Sequence, residues 1–166
     1  MLQRMAARQT TLILEDENAT RRFATALAQG LSPGDTVLLL GEIGAGKSVL
    51  ARAVIQALQE LPEDVPSPTF TIVQTYDTLK GELWHCDLYR VDSAADLVEL
   101  GLADAFGTAI CLVEWADRLG DLAPMTALSV AMAPVDAEPE RRDLRLSWTD
   151  PRWDAAIAAL TGSAVS

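Results

Sequence analysis

Lysine is nearly absent from this chain of 166 residues: Lys47 and Lys80 stand against eleven arginines. Histidine and asparagine occur once each, as His85 and Asn18, and cysteine twice, as Cys86 and Cys111. Each scarcity excludes something. One histidine and two cysteines cannot supply the four ligands of a structural zinc site, and two thiols in a chain without an export signal are expected to be free rather than bridged. With no Asn-Lys pair, the Asn-Lys-x-Asp segment by which guanine-specific switches read their base is missing. No apolar run approaches the roughly 20 residues that span a bilayer, and the opening MLQRMAARQTTLILEDE has no signal-peptide core. The expected compartment is the cytoplasm, without a membrane partner.

Positive charge is also short. Twenty-four acids face thirteen bases, a net charge of −11. Proteins that grip nucleic acid do so with basic surfaces, so this chain is not expected to hold RNA or DNA by itself. The balance suits an acidic protein that handles a nucleotide locally or docks on a more basic partner.

Apolar residues make up 49% and charged residues 22%, the composition of a globular domain, and the length suits one. Residues 11–15 read as a strand, followed by a helix capped by Asn18 and running to Gln29, with Gly30 as its stop. Residues 36–40, TVLLL, are apolar without alternation, as in a strand covered on both faces. A helix is predicted over 47–60, then a Pro-rich loop. Strands over 71–76 and 82–88 form an antiparallel hairpin around Lys80-Gly81. Ser93 caps a short helix ending near Gly101. Residues 109–113 form a second buried strand, and residues 126–133 and 144–148 form later strands separated by an acidic loop. A terminal helix covers 151–160. Because GEIGAGKS at residues 41–48 joins the strand over 36–40 to the helix over 47–60 in a phosphate-loop pattern, the expectation is an α/β protein of the P-loop NTPase fold: one domain over residues 11–160, with a mixed, mainly parallel central sheet flanked by helices plus an antiparallel hairpin. Residues 1–10 and 161–166 are expected to be flexible ends.

Residues 41–48, GEIGAGKS, match the phosphate-loop pattern GxxxxGK[ST] in full. They also lie where that loop must lie, directly after a buried strand and directly before a helix. Glycines let successive N–H groups turn into one anion-binding concavity, and the helix N-terminus adds its positive end. Residues 43–48 (Ile43, Gly44, Ala45, Gly46, Lys47 and Ser48) form the cradle. Lys47 is placed to reach the β- and γ-phosphates, and the Ser48 hydroxyl to hold Mg²⁺. A triphosphate site needs a second acid for the metal; Glu114, where ICLV stops, is the candidate, with Asp117 as its competitor. With guanine recognition excluded, ATP is the default nucleotide.

The stretch WHCDLYR at residues 84–90 concentrates the chain's rarest chemistry. Side chains alternate along a strand, so His85 and Asp87 share one face while Cys86 points away with Trp84 and Leu88. That rules out a Cys–His nucleophile pair and leaves Cys86 to core packing. Beside a phosphate loop, Asp87 can position the attacking water, with His85 orienting it; the structural alternative has Asp87 cap the turn and pair with Arg90.

GEIGAGKS, then SPTF at residues 67–70, HCDLYR at 85–90, LGLADAF at 100–106 and ICLVEW at 110–115, in this order, resemble the TsaE family. These are small bacterial ATPases of the machinery that makes threonylcarbamoyladenosine beside the tRNA anticodon. The resemblance covers roughly residues 11–150. Family loops usually read GDLGAGKT, so Glu42 and Ser48 depart from the pattern, as does Ala116 where proline is common. The resemblance implies an ATPase that works with a TsaD–TsaB-type complex and resets it by ATP hydrolysis, meeting tRNA only through that complex. It implies that Ser48 and Glu114 hold Mg²⁺, that Thr69 lies in a loop sensing the γ-phosphate, and that the segment around Glu17 lies near the adenine. Asp87, Thr69 and Glu114 form the expected catalytic set. Arg90 and Arg118 are the nearby arginines, both read as surface residues, so hydrolysis by the isolated protein is expected to be slow and partner-stimulated. Two alternatives stay open: a small-molecule kinase with Asp87 as acceptor base, and a non-hydrolysing module that binds its partner in the ATP state.

Overall fold

The computed structural model describes residues 7–42, 44–68 and 71–165, with side chains of the last helix described to residue 161. Seven strands form one sheet in the order β1-β7-β6-β2-β5-β4-β3. They are β1 (Arg8–Leu14), β2 (Thr36–Leu40), β3 (Val73–Thr78), β4 (Gly81–Asp87), β5 (Ile110–Glu114), β6 (Leu128–Val135) and β7 (Glu138–Trp148). At the centre β6, β2, β5 and β4 run parallel. Antiparallel strands close both sides: β7 and β1 beyond β6, and β3 beyond β4. The sheet is therefore mixed, and the hairpin expected around Lys80-Gly81 is β3–β4.

Strand alternation divides the core in two. Val37 and Leu39 of β2, Leu83 of β4, Ile110 and Leu112 of β5 and Leu128 and Val130 of β6 face α1 (Glu17–Gln29), α2 (Lys47–Leu58) and α5 (Trp153–Val165). Leu38, Cys86, Cys111 and Val113 face the opposite layer, made by α3 (Ala94–Glu99), α4 (Leu102–Thr108) and a 3-10 helix over Ala116–Leu122. In α1 the buried residues Thr20, Phe23, Ala24, Leu27 and Ala28 follow the three- and four-residue spacing of one helix face.

Several expected boundaries move for physical reasons. Asp16, not Asn18, caps α1: its carboxylate accepts from Ala19 N–H at 2.8 Å, the third-position bond that defines a cap. Ser93 caps α3 as expected, accepting from the Asp96 N–H, but a further helix, α4, follows after Gly101 at φ 80°. The acidic loop expected between the last strands shrinks to a tight connection, because β7 begins at Glu138 and pairs with β6 across residues read as loop. Its exposed first half, EPERRD, carries no apolar alternation to announce a strand. The terminal helix starts at Trp153, and its helical residues extend to Val165. Lys80, the second lysine, fastens the hairpin to the end of α1, its Nζ donating to the carbonyls of Ala28, Gln29 and Leu31 at 3.1, 2.6 and 2.8 Å. No helix among the described residues is long and apolar enough to cross a membrane.

Candidate functional site: a cleft at the strand ends

In open α/β sheets, ligands bind beyond the carboxyl ends of the parallel strands. Here β2 ends at Leu40 and leads into the loop of residues 41–46, after which α2 begins at Lys47. The first loop residue must be glycine: Gly41 has φ 143°, and a Cβ there would lie 2.5 Å from the Met132 carbonyl of β6. Among the described residues no side chain caps α2, so its N-terminal end is left to the cleft.

Register then assembles the acids. β4 and β5 run parallel with Asp87 opposite Glu114, and Glu114 in turn lies opposite Leu39 of β2. Both acids thus arrive at the sheet edge from which the loop springs. Glu114 is only 2% exposed and Asp87 5%. The Ser48 hydroxyl donates to Glu114 Oε1 at 2.8 Å, and His85 Nε2 meets Glu114 Oε2 at 2.7 Å. Asp87 accepts from the Tyr89 N–H at 3.1 Å. His85 therefore turns to Glu114, not to the neighbouring Asp87. Cys86 lies in the opposite core layer, as strand alternation requires.

Lys47 is almost fully covered. Its ammonium donates to the Gly41 carbonyl at 2.5 Å and lies 3.8 Å from the centre of the Trp115 ring, a cation–π contact. Burial pulls its pKa below the usual lysine value, while Glu114, Asp87 and Asp117 oppose that shift. Trp115 holds a left-handed backbone at φ 57° and packs against Tyr89, ring centres 5.0 Å apart. A cleft of about 500 Å³ results, lined by Gly44, Lys47, Ser48, Asp87, Glu114 and Arg142 among others.

Arg142 gives no sequence signal, because it falls in the stretch read as loop. From β7 its Nε donates to the Ala45 carbonyl at 2.9 Å and its Nη2 to the Gly44 carbonyl at 3.4 Å, clamping the phosphate loop from outside. Arg90 and Arg118 are not among the described residues lining the cleft. Glu17 lies with Gly46, Val49 and Arg142 on a smaller adjoining cavity of about 200 Å³. Asp117 lines a third cavity with Lys47 and Trp115, while Glu114 takes the contact to Ser48. Ile43 and Thr69 lie outside the described residues.

A strand running into a glycine loop, a helix starting on its Lys-Ser pair and an acid at the tip of the adjoining strand are the means by which P-loop NTPases bind nucleotide; this chain is of that class. Within the class, the family model described as "Threonylcarbamoyl adenosine biosynthesis protein TsaE" matches residues 14–143. The chain is 37% identical over 124 residues to the tRNA threonylcarbamoyladenosine biosynthesis protein TsaE of Rickettsia bellii, covering 75% of this chain and 86% of that one. It is 40% identical over 108 residues to the Aquifex aeolicus protein of the same name, covering 64% and 77%. The protein belongs to the TsaE family. The crystal structure of Bacillus subtilis YdiB shares the fold, with a TM-score of 0.75 at 23% identity over 95% of this chain and 97% of that one.

Proposed function

We propose that this protein binds and hydrolyses ATP with Mg²⁺ in the service of threonylcarbamoyladenosine formation on tRNA. It acts in the cytoplasm with a TsaD–TsaB-type partner complex and meets tRNA only through that complex. The observation that carries the reading is the convergence of Lys47, Ser48 and Glu114 at the mouth of the phosphate loop, with Ser48 Oγ 2.8 Å from Glu114 Oε1. A hydroxyl beside a buried carboxylate is an all-oxygen donor pair. That suits Mg²⁺, which takes one or two protein ligands and completes its shell with phosphate oxygens and water.

In this reading residues 43–48 cradle the phosphates through their backbone, and Ser48 and Glu114 hold the metal. Bound there, Mg²⁺ would supply positive charge against the phosphates. Lys47 exchanges the Gly41 carbonyl and the Trp115 face for phosphate oxygens. Asp87 orients the attacking water, Thr69 follows the γ-phosphate, and Glu17 borders the adenine end of the cleft. Arg142 is already engaged by the carbonyls of Gly44, Ala45, Pro139 and Arg141. It stiffens the loop, and neutralising transition-state charge falls to a cation from the partner. Hydrolysis by the protein alone is therefore slow. Phosphate release from ATP without an acceptor, accelerated by the partner complex and lost in Lys47→Ala, is the expected result; fast turnover by the isolated protein, or full activity in Lys47→Ala, would refute the reading.

A further inference from the structure

We propose that His85 is a positioning residue for the Glu114 carboxylate, fixing the orientation in which that acid meets the metal. The inference rests on the reading of Ser48 and Glu114 as the metal-holding pair. The two oxygens of Glu114 are held separately, Oε1 by the Ser48 hydroxyl at 2.8 Å and Oε2 by His85 Nε2 at 2.7 Å. A hydroxyl carries two lone pairs besides its hydrogen, so Ser48 can face a metal while still donating to Oε1. The bond from His85 holds the other oxygen, so that removing it leaves Oε2 free to turn about the Ser48 bond.

His85 is 1% exposed, and its Nδ1 is buried with no hydrogen-bond partner among the described residues. Buried ring nitrogens are ordinarily satisfied, so a histidine serving only as filler is a poor choice where leucine would leave nothing unpaired. Among the described residues, the single hydrogen bond the ring makes is to Glu114. The register of β4 on β5 explains how it reaches: His85 pairs with Leu112, one same-face step before the Asp87–Glu114 rung. Outer partners that orient a metal's ligand typically change metal affinity by roughly ten- to a hundredfold when removed.

The test uses the full chain and a fluorescent ATP analogue, titrated with Mg²⁺ and, separately, in EDTA. His85→Leu is expected to raise the Mg²⁺ concentration for half-maximal response by about tenfold or more while leaving binding in EDTA unchanged. His85→Gln, whose amide nitrogen can take the place of Nε2, is expected to restore the wild-type response, and His85→Asn, whose amide stops short, is not. An unaltered Mg²⁺ response in His85→Leu, or equal loss in the presence and absence of metal, would overturn the proposal. Should His85→Leu fail to fold, the Gln and Asn variants decide it: equal Mg²⁺ responses count against it, a difference in favour of Gln supports it. A wild-type protein showing no Mg²⁺-dependent nucleotide binding would remove the proposed function and this inference together, whereas a normal wild type with indifferent variants removes the inference alone.

Discussion

Replacing Gly41 by alanine is expected to damage the protein far more than the same change three residues later, at Gly44. At Gly41 two costs coincide. The backbone at φ 143° lies in a region that side chains rarely adopt, and the added Cβ would stand 2.5 Å from the Met132 carbonyl and 3.2 Å from the Ala45 Cβ. Met132 cannot retreat, since it is paired with Leu144 inside the β6–β7 ladder. Backbone strain of about 1–3 kcal/mol and overpacking of about 1–3 kcal/mol together give about 4 kcal/mol. At Gly44, with φ 83°, a Cβ meets nothing within 4 Å, so only the left-handed cost of about 1–2 kcal/mol remains. In urea, with a slope of about 2 kcal/mol per molar, the midpoint should fall by about 2 M in Gly41→Ala and by less than about 1 M in Gly44→Ala. Equal midpoints for the two variants would refute the claim that β6 packing, rather than loop flexibility, demands the first glycine.

The cleft and the core behind it set the remaining outcomes. Arg142→Ala should loosen the phosphate loop and weaken ATP binding by about tenfold, the loss of roughly one charged hydrogen bond, measured by calorimetry. Asp87→Asn keeps an oxygen for the Tyr89 N–H and so preserves the turn; hydrolysis should fall by about a hundredfold with ATP affinity little changed, and joint loss of both would assign Asp87 a purely structural part. Burial raises both thiols, Cys111 to about 12 and Cys86 further, so neither should react with iodoacetamide at pH 8.5 until the protein unfolds. Because the folded chain retains thiol protons that the unfolded chain sheds above about pH 9, stability should fall as pH rises from there, by about 1.4 kcal/mol per pH unit per thiol. Urea midpoints at pH 9 and pH 10 should show a shallower slope in Cys111→Ala.

What could be read from the sequence follows the strength of local signals. The apolar block 36–40, the Gly-rich loop and the Lys47 helix start form one continuous statement, and the structure places them as β2, loop and α2. Period-two alternation in WHCDLYR was enough to separate His85 and Asp87 from Cys86. Glu114 was legible because an apolar strand stops there. Its partnership with His85 was not, since it depends on the register of β4 against β5, which no local pattern records. Arg142 was hidden for a related reason: the first half of β7 is polar, and its strand form rests on pairing with β6 and, at Arg142 and Asp143, with Leu14 and Ile13 of β1. Trp115, recognisable only as half of an EW pair, takes its place over Lys47 through a left-handed turn that a bulky residue rarely adopts.

In the proposed function the Lys47–Ser48–Glu114 cleft drives threonylcarbamoyladenosine formation. The decisive measurement depletes the protein in its host, supplies wild-type or Lys47→Ala protein, and quantifies threonylcarbamoyladenosine in bulk tRNA by nucleoside analysis. Depletion should lower the modified nucleoside, and the wild type should restore it while Lys47→Ala does not. An unchanged nucleoside level on depletion, or full restoration by Lys47→Ala, would contradict the account.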